Sequence, residues 1–171
     1  MQPYDNIDRK CVVSKNMKAY GFSFQKNRIR IVELAKINDA IEFREKKIVD
    51  IDSALPLPEL SDRYVKHFRE HLNGSKPDLV AVRRVWESSD ISTSICQIMP
   101  VALLALTCHE LQLAFVDFTP GSLKSAGSFG LAKGLNPLSC VDDTFGAHPP
   151  YWDDIHRGAL LAAWRALLKA K

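Results

Sequence analysis

Residues 18–51 read KAYGFSFQKNRIRIVELAKINDAIEFREKKIVDI, and the fold turns on how this stretch is divided. Ala19–Phe24 is a short apolar run that suits a buried strand, and Gln25-Lys26-Asn27 is a polar turn. From Arg28 to Leu34 polar and apolar residues alternate, the period-2 pattern of a strand with one face in the core and one in water. Asn38-Asp39 makes a second turn, and Ile41–Ile51 reads as a third strand. Three strands on short turns predict an antiparallel meander. The residues before it, 1–16, are polar and without periodicity and read as an irregular lead-in, leaving 17–171 as one domain.

Beyond the meander the pattern changes period. Pro56 and Pro58 mark Leu55–Leu60 as a loop, Ser61 is placed to cap a helix, and Val65, Phe68 and Leu72 form its apolar stripe up to Asn73-Gly74. Leu79–Val82 is a short apolar run of the kind that is buried on both faces in a parallel sheet. A long apolar helix follows over roughly Ile91–Leu111, with Pro100 predicting a kink or a late start. Leu113–Phe118 is another buried strand, and Thr119-Pro120-Gly121 leads to a short helix around Ser122–Ala126. The stretch 127–150, rich in Gly and Pro, reads as one long loop, and a helix over about Trp152–Leu168 closes the chain. Strands first, then strands alternating with helices, predict a mixed α/β sheet with helices on both faces.

Composition sets the outer limits. In 171 residues, 46% are apolar and 25% charged, the mix of a globular protein with a real core. A net charge of +3 permits nucleic-acid binding without demanding it. Cys11, Cys96, Cys108 and Cys140 show no metal-ligand spacing, so reduced thiols are expected. The N-terminus lacks the apolar core of a signal peptide, and the longest apolar run, Met99–Thr107, falls well short of the ~20 residues of a membrane span. A cytoplasmic protein that does not enter the membrane is the expectation.

Four local strings, in the right order on the expected elements, resemble the RNase H-like superfamily and within it Holliday-junction resolvases of the RuvC type. They are Gly21-Phe22-Ser23, where the family has Gly-x-Asp, and Ala81-Val-Arg83-Arg-Val-Trp86, where it has a strand carrying Glu. The third runs from Phe118 through Leu123-Lys124 to Lys133, and the fourth is Asp154-Ile-His156-Arg157-Gly-Ala-Leu-Leu-Ala. The resemblance covers roughly Lys18–Leu168. It implies an RNase H-like mixed sheet and, in active members, two metal ions about 4 Å apart held by carboxylates.

The same resemblance implies that this site is degenerate. Ser23 stands at the first carboxylate position, Arg83 at the second and Arg157 at a third, leaving Asp154 alone. A hydroxyl cannot replace an anionic bridge, and a guanidinium repels a divalent ion. Two roles are open for Arg83: an ion pair with Asp154 in place of the metal, or a bidentate grip on a phosphate. We favour the pair. Lys124 and Lys133 match basic residues that face the DNA backbone in resolvases, and with Arg83 they are the candidate nucleic-acid contacts.

Other residues invite chemistry and have plainer readings. Asp153, Asp154 and His156, joined by His148, might be taken for a metal site, but acids at a helix start simply favour its dipole. His67 and His71 have zinc spacing without a third ligand and read as a solvated face. Asp142-Asp143 read as solvated turn residues, and Arg84 as pointing to the opposite sheet face under helix stems. Trp86 and Trp152 read as plugs at the sheet end rather than stacking platforms. The long helix has apolar residues all round, so part of it is expected to meet a partner, a second copy or another protein.

The expectation is therefore a catalytically inactive RuvC-like domain that binds DNA or RNA or serves as an interaction module, with no cofactor. One alternative is a nuclease with a rearranged site, using Asp154, Asp153, His156 and Asp117 or Glu87 with Mg or Mn. The other is a regulatory protein-binding domain without a nucleic-acid role.

Overall fold

The computed structural model describes residues 16–85, 91–148 and 150–170. Its elements are β1 (Met17–Gln25), β2 (Arg28–Ile37), β3 (Ala40–Asp50), α1 (Leu57–Ser75), β4 (Leu79–Arg83), α2 (Ile91–Glu110), β5 (Ala114–Phe118), α3 (Val141–Phe145) and α4 (Asp154–Lys169), with a 3-10 turn at Ala126–Phe129 before α3. The sheet order is β3-β2-β1-β4-β5. β1, β2 and β3 form the antiparallel meander, while β1–β4 and β4–β5 are parallel. Asn38 and Asp39 both take positive φ, as a two-residue hairpin turn matched to strand twist requires.

Alternation along β1 assigns its side chains to two cores. Tyr20, Phe22 and Phe24 pack with Ile29, Ile31, Val80 and Val82 against Tyr64, Phe68 and Leu72 of α1 and Leu104 of α2. Ala19 packs with Val32, Leu34 and Ala81 against α4. Gly21 lies on that second face, where α4 crosses so closely that a Cβ would stand 1.9 Å from the Ala159 carbonyl oxygen.

Several elements depart from the sequence reading. β2 has no wet face: Arg30, on the side expected to meet water, is 5% exposed beneath the start of α4. α1 begins at Leu57, not Ser61, with Pro56 as the cap residue and Pro58 in the first turn. Proline is tolerated there because those amides lack helical partners anyway. Ser61 instead donates to the Leu57 carbonyl at 2.8 Å. Tyr64, rather than Val65, joins Phe68 and Leu72 in the buried stripe.

The stretch 127–150 is not a bare loop. Phe129, Val141 and Phe145 are buried against Trp164 and its neighbours, so the segment is a packed cover over α4. The short helix expected around Ser122–Ala126 is a turn, with the 3-10 segment starting only at Ala126. α2 runs as one helix through Pro100 and exposes Ile95, Ile98 and Leu106. No helix of the described residues is long and apolar enough to cross a membrane.

Candidate functional site

Three side chains cross the sheet in one row on the α4 face: Arg30 on β2, Ser23 on β1 and Arg83 on β4. Ser23 and Arg30 are direct cross-strand partners, and Arg83 lies one step past the Phe22–Val82 pair. Ser23 is 4% exposed and its hydroxyl has no partner among the described residues; Arg30 Nη1 is likewise buried without one among them. α4 covers the row. Its Gly158 has no Cβ, and one built there would stand 2.7 Å from Arg83 Nη1, 2.8 Å from Arg83 Cδ and 3.2 Å from Ser23 Oγ. A glycine costs a helix interior about 1 kcal/mol relative to alanine; here it seats the Arg83 guanidinium.

The start of α4 supplies the counter-charge. Asp153 is the N-cap, accepting from the His156 amide at 2.6 Å, and its other oxygen takes Arg30 Nε at 2.9 Å. Burial pushes the Asp153 carboxyl up, but the His156 amide and the Arg30 guanidinium outweigh it and hold the group below its ordinary value. Asp154, one residue on, is exposed and joins no ion pair among the described residues. The expected Arg83–Asp154 pair does not form. Arg30, approaching from the opposite side of Ser23, takes the neighbouring carboxylate instead, and Arg83 has no carboxylate partner among the described residues.

Arg83 shares a narrow crevice with Lys124, Leu123, Leu138 and Gly158, between the turn after β5 and α4. Lys133 is exposed and does not line it. Arg157 is used structurally: it donates to the Leu138 carbonyl and to Asp142, both at 2.8 Å, tying α4 to its cover. Asp142 is thus an ion-pair partner rather than a solvated turn residue. Arg84 does point to the other sheet face, yet its side chain is 58% exposed and pairs with Asp117. Asp117 therefore lies across the sheet from Ser23 and Arg83 and cannot act with them. Trp86 and Glu87 fall outside the described residues.

The histidines also part company. His148 stacks on Phe43 at 4.3 Å between ring centres and bonds the Phe145 carbonyl. His156 is buried beside Trp152 and Asp153. His71 is not on a solvated face: its ring packs edge-on against Tyr20 and Phe22. Among the described residues no three His, Cys, Asp or Glu side chains stand where they could hold a metal ion together. Ser23 and Arg83 do not fit the two-metal site that the resemblance implies, since one is neutral and the other cationic.

Burial holds the pKa of both His71 and His156 below the ordinary value, despite nearby carboxylates that pull the other way. The unfolded chain takes up these protons near pH 6.5, where the folded protein refuses them. Stability is therefore full above about pH 6.5 and falls as pH drops through that value toward the folded pKa values. Melting temperatures between about pH 7.5 and 5.5 should decline, and His71→Phe should make the decline shallower. A flat wild-type profile would refute this account.

The sheet order, the two-sided helical cover and the position of α4 across β1 define an RNase H-like fold. Within that class it is the fold of the RuvC-type resolvases. RuvC of Thermus thermophilus superposes with a TM-score of 0.71 and 15% identity, over 89% of this chain and 94% of that one. Its complex with a Holliday junction substrate gives the same TM-score at 14% identity, over 89% and 93%. The yeast mitochondrial Holliday junction resolvase follows with a TM-score of 0.66 and 14% identity, over 88% and 80%. The fowlpox virus resolvase gives 0.54 and 7% identity, over 90% and 99%. No protein-family model matches the sequence, and no curated protein does.

The site residue that sequence reasoning missed most completely is Arg30. Only its exact cross-strand position opposite Ser23 gives it away, and that becomes visible once the hairpin register is known.

Proposed function

We propose that this chain is a catalytically inactive RuvC-like module that holds a nucleic-acid backbone without cutting it. The observation that carries the reading is the Arg83 guanidinium, seated against Gly158 and Ser23 without a carboxylate partner among the described residues, in a crevice shared with Lys124. A planar guanidinium binds phosphate through two parallel hydrogen bonds, and a second cation beside it strengthens the grip. The same charge repels the divalent ions that a nuclease of this fold would use, so no metal or other cofactor is required. The Thermus RuvC that shares the fold was captured on a Holliday junction substrate, which supports nucleic acid as the ligand class.

Labelled branched, duplex and single-stranded DNA, titrated at two salt concentrations with manganese present and then run on a denaturing gel, test this reading. Salt-dependent binding with intact strands is the expected result, because phosphate contacts release counterions. Cut strands would overturn the inactive assignment; no binding at low salt would overturn the nucleic-acid reading. Arg83→Met should weaken binding and lower the salt slope by about one. Gly158→Ala should weaken it similarly, because the new Cβ displaces the guanidinium, while the helix gains up to about 1 kcal/mol.

A further inference from the structure

The sheet has two edges, and the chain treats them differently. β3, at one edge, exposes Glu42, Arg44, Glu45 and Lys47 along its length, and its ladder to β2 slips at Glu33/Leu34. Charges and bulges are how natural sheets keep other strands off an edge. β5, at the other edge, has neither. Ala114–Phe118 contains no proline, lysine or arginine and pairs with β4 without a slip; its one charge, Asp117, is already taken by Arg84. The Arg84 amide donates to the Phe118 carbonyl at 2.8 Å, so Ala114, Val116 and Phe118 turn their backbone groups to β4. Phe115 and Asp117 turn theirs outward, where no strand of the described residues lies. The same two residues border a cavity of about 820 Å³ between β5 and α2, walled by Val101, Ala102 and Ala105, with the exposed Ile98 beside it. On the opposite sheet face, Lys169 of α4 lies 5.2 Å over the Phe118 ring, exposed and in no ion pair among the described residues.

We infer that β5 receives an extended segment of a partner protein as a sixth strand, one that alternates bulky apolar with acidic side chains. Outward-facing amides and carbonyls in strand geometry are matched by another strand, whose backbone supplies the affinity while alternate side chains supply the selection. Cross-strand neighbours share a sheet face, so the residue beside Phe115 points toward α2 and fills the cavity. The next residue of the segment, beside Val116, points the other way toward Lys169, where a carboxylate meets an unclaimed cation. A second copy of β5 fits less well, since it offers Val116 to Lys169 in place of a carboxylate and brings an Asp117 already paired. The inference stands apart from the nucleic-acid reading: the Arg83 crevice lies on the α4 face, and the cavity lies on the other.

The test titrates the full chain with a short, end-blocked, fluorescent peptide that alternates leucine and glutamate, followed by anisotropy. Amide exchange read by NMR follows Phe115 and Asp117 in the same samples. Binding that slows exchange at both amides is the expected result. N-methylating the peptide at the residues that face β5 should weaken it about ten-fold, because backbone hydrogen bonds are lost while the side chains stay. Ala102→Trp, which fills the cavity from an exposed position of α2, should weaken it to a similar extent with the melting temperature unchanged. Lys169→Glu should reverse the preference between the glutamate peptide and its lysine counterpart. Equal affinity for methylated and unmethylated peptides, or none for either, would overturn the inference. So would slow exchange at Phe115 and Asp117 without peptide, with sedimentation then telling whether a second copy or the chain's own residues hold the edge.

Discussion

Gly21→Ala is expected to cost at least about 3 kcal/mol and to lower the melting temperature by roughly 6–12 °C. At this point the central strand and α4 are in backbone contact. The added Cβ would sit 1.9 Å from the Ala159 carbonyl oxygen and 2.7 Å from its carbon, with the Ala163 side chain 3.1 Å away. No rotamer change relieves a clash with backbone. The helix has to lift, and lifting it opens the packing of Leu160, Ala163 and Leu167 over the sheet. Urea denaturation of wild-type and variant proteins measures the effect through the midpoint. A change below about 1 kcal/mol would mean that α4 and β1 are farther apart than described.

The second large effect is expected at Asp153. Asp153→Ala removes the N-cap of α4 and, in the same stroke, the carboxylate paired with the buried Arg30 guanidinium. Arg30 already has one nitrogen without a partner among the described residues; it would then have no counter-charge among them either. Breaking a buried pair typically costs 3–5 kcal/mol, and the two-fifths exposure of the Asp153 side chain argues for about 3 here. Asp153→Asn separates the contributions. The amide oxygen still caps the helix, at a cost well under that of alanine, so what remains is the charge. The lowered carboxyl pKa also fixes the pH dependence. The contribution is present above the unfolded value near 3.9 and is lost as pH falls through the folded value, so only the wild-type protein should show this acid-side decline.

Those two positions show what could be read from the residues alone and what could not. The meander was legible because its alternation and its Asn-Asp turn are local signals, and the apolar β4 run announced a buried strand. Errors arose where a residue's partner is remote. Arg30 looked like a solvent-facing member of an alternating strand; its partner lies 123 residues further along the chain. Pro56 and Pro58 looked like breakers, although at the first positions of a helix they break nothing. In 127–150, the glycines and prolines hid three buried anchors, Phe129, Val141 and Phe145, because their spacing follows no period. At the site itself, Ser23, Arg83 and Lys124 were legible through the family resemblance. The seat that Gly158 makes for Arg83 is a property of packing and carries no local signal.

The place of β1 in the sheet bears on how the chain comes to be folded. β1 is the middle strand, yet its two neighbours become available at very different times. β2 follows it directly, so the hairpin closes over a short loop, whereas Ala19 meets Leu79 only after β3 and the whole of α1 have intervened. Closing the longer loop is slow, and until it closes one edge of β1 stays open with Tyr20, Phe22 and Phe24 uncovered. During synthesis this is a period in which a sticky strand edge faces other chains. Among the described elements α4 is made after all the strands, and it carries Asp153 to Arg30; the charge at the heart of the sheet is neutralised only when this helix docks.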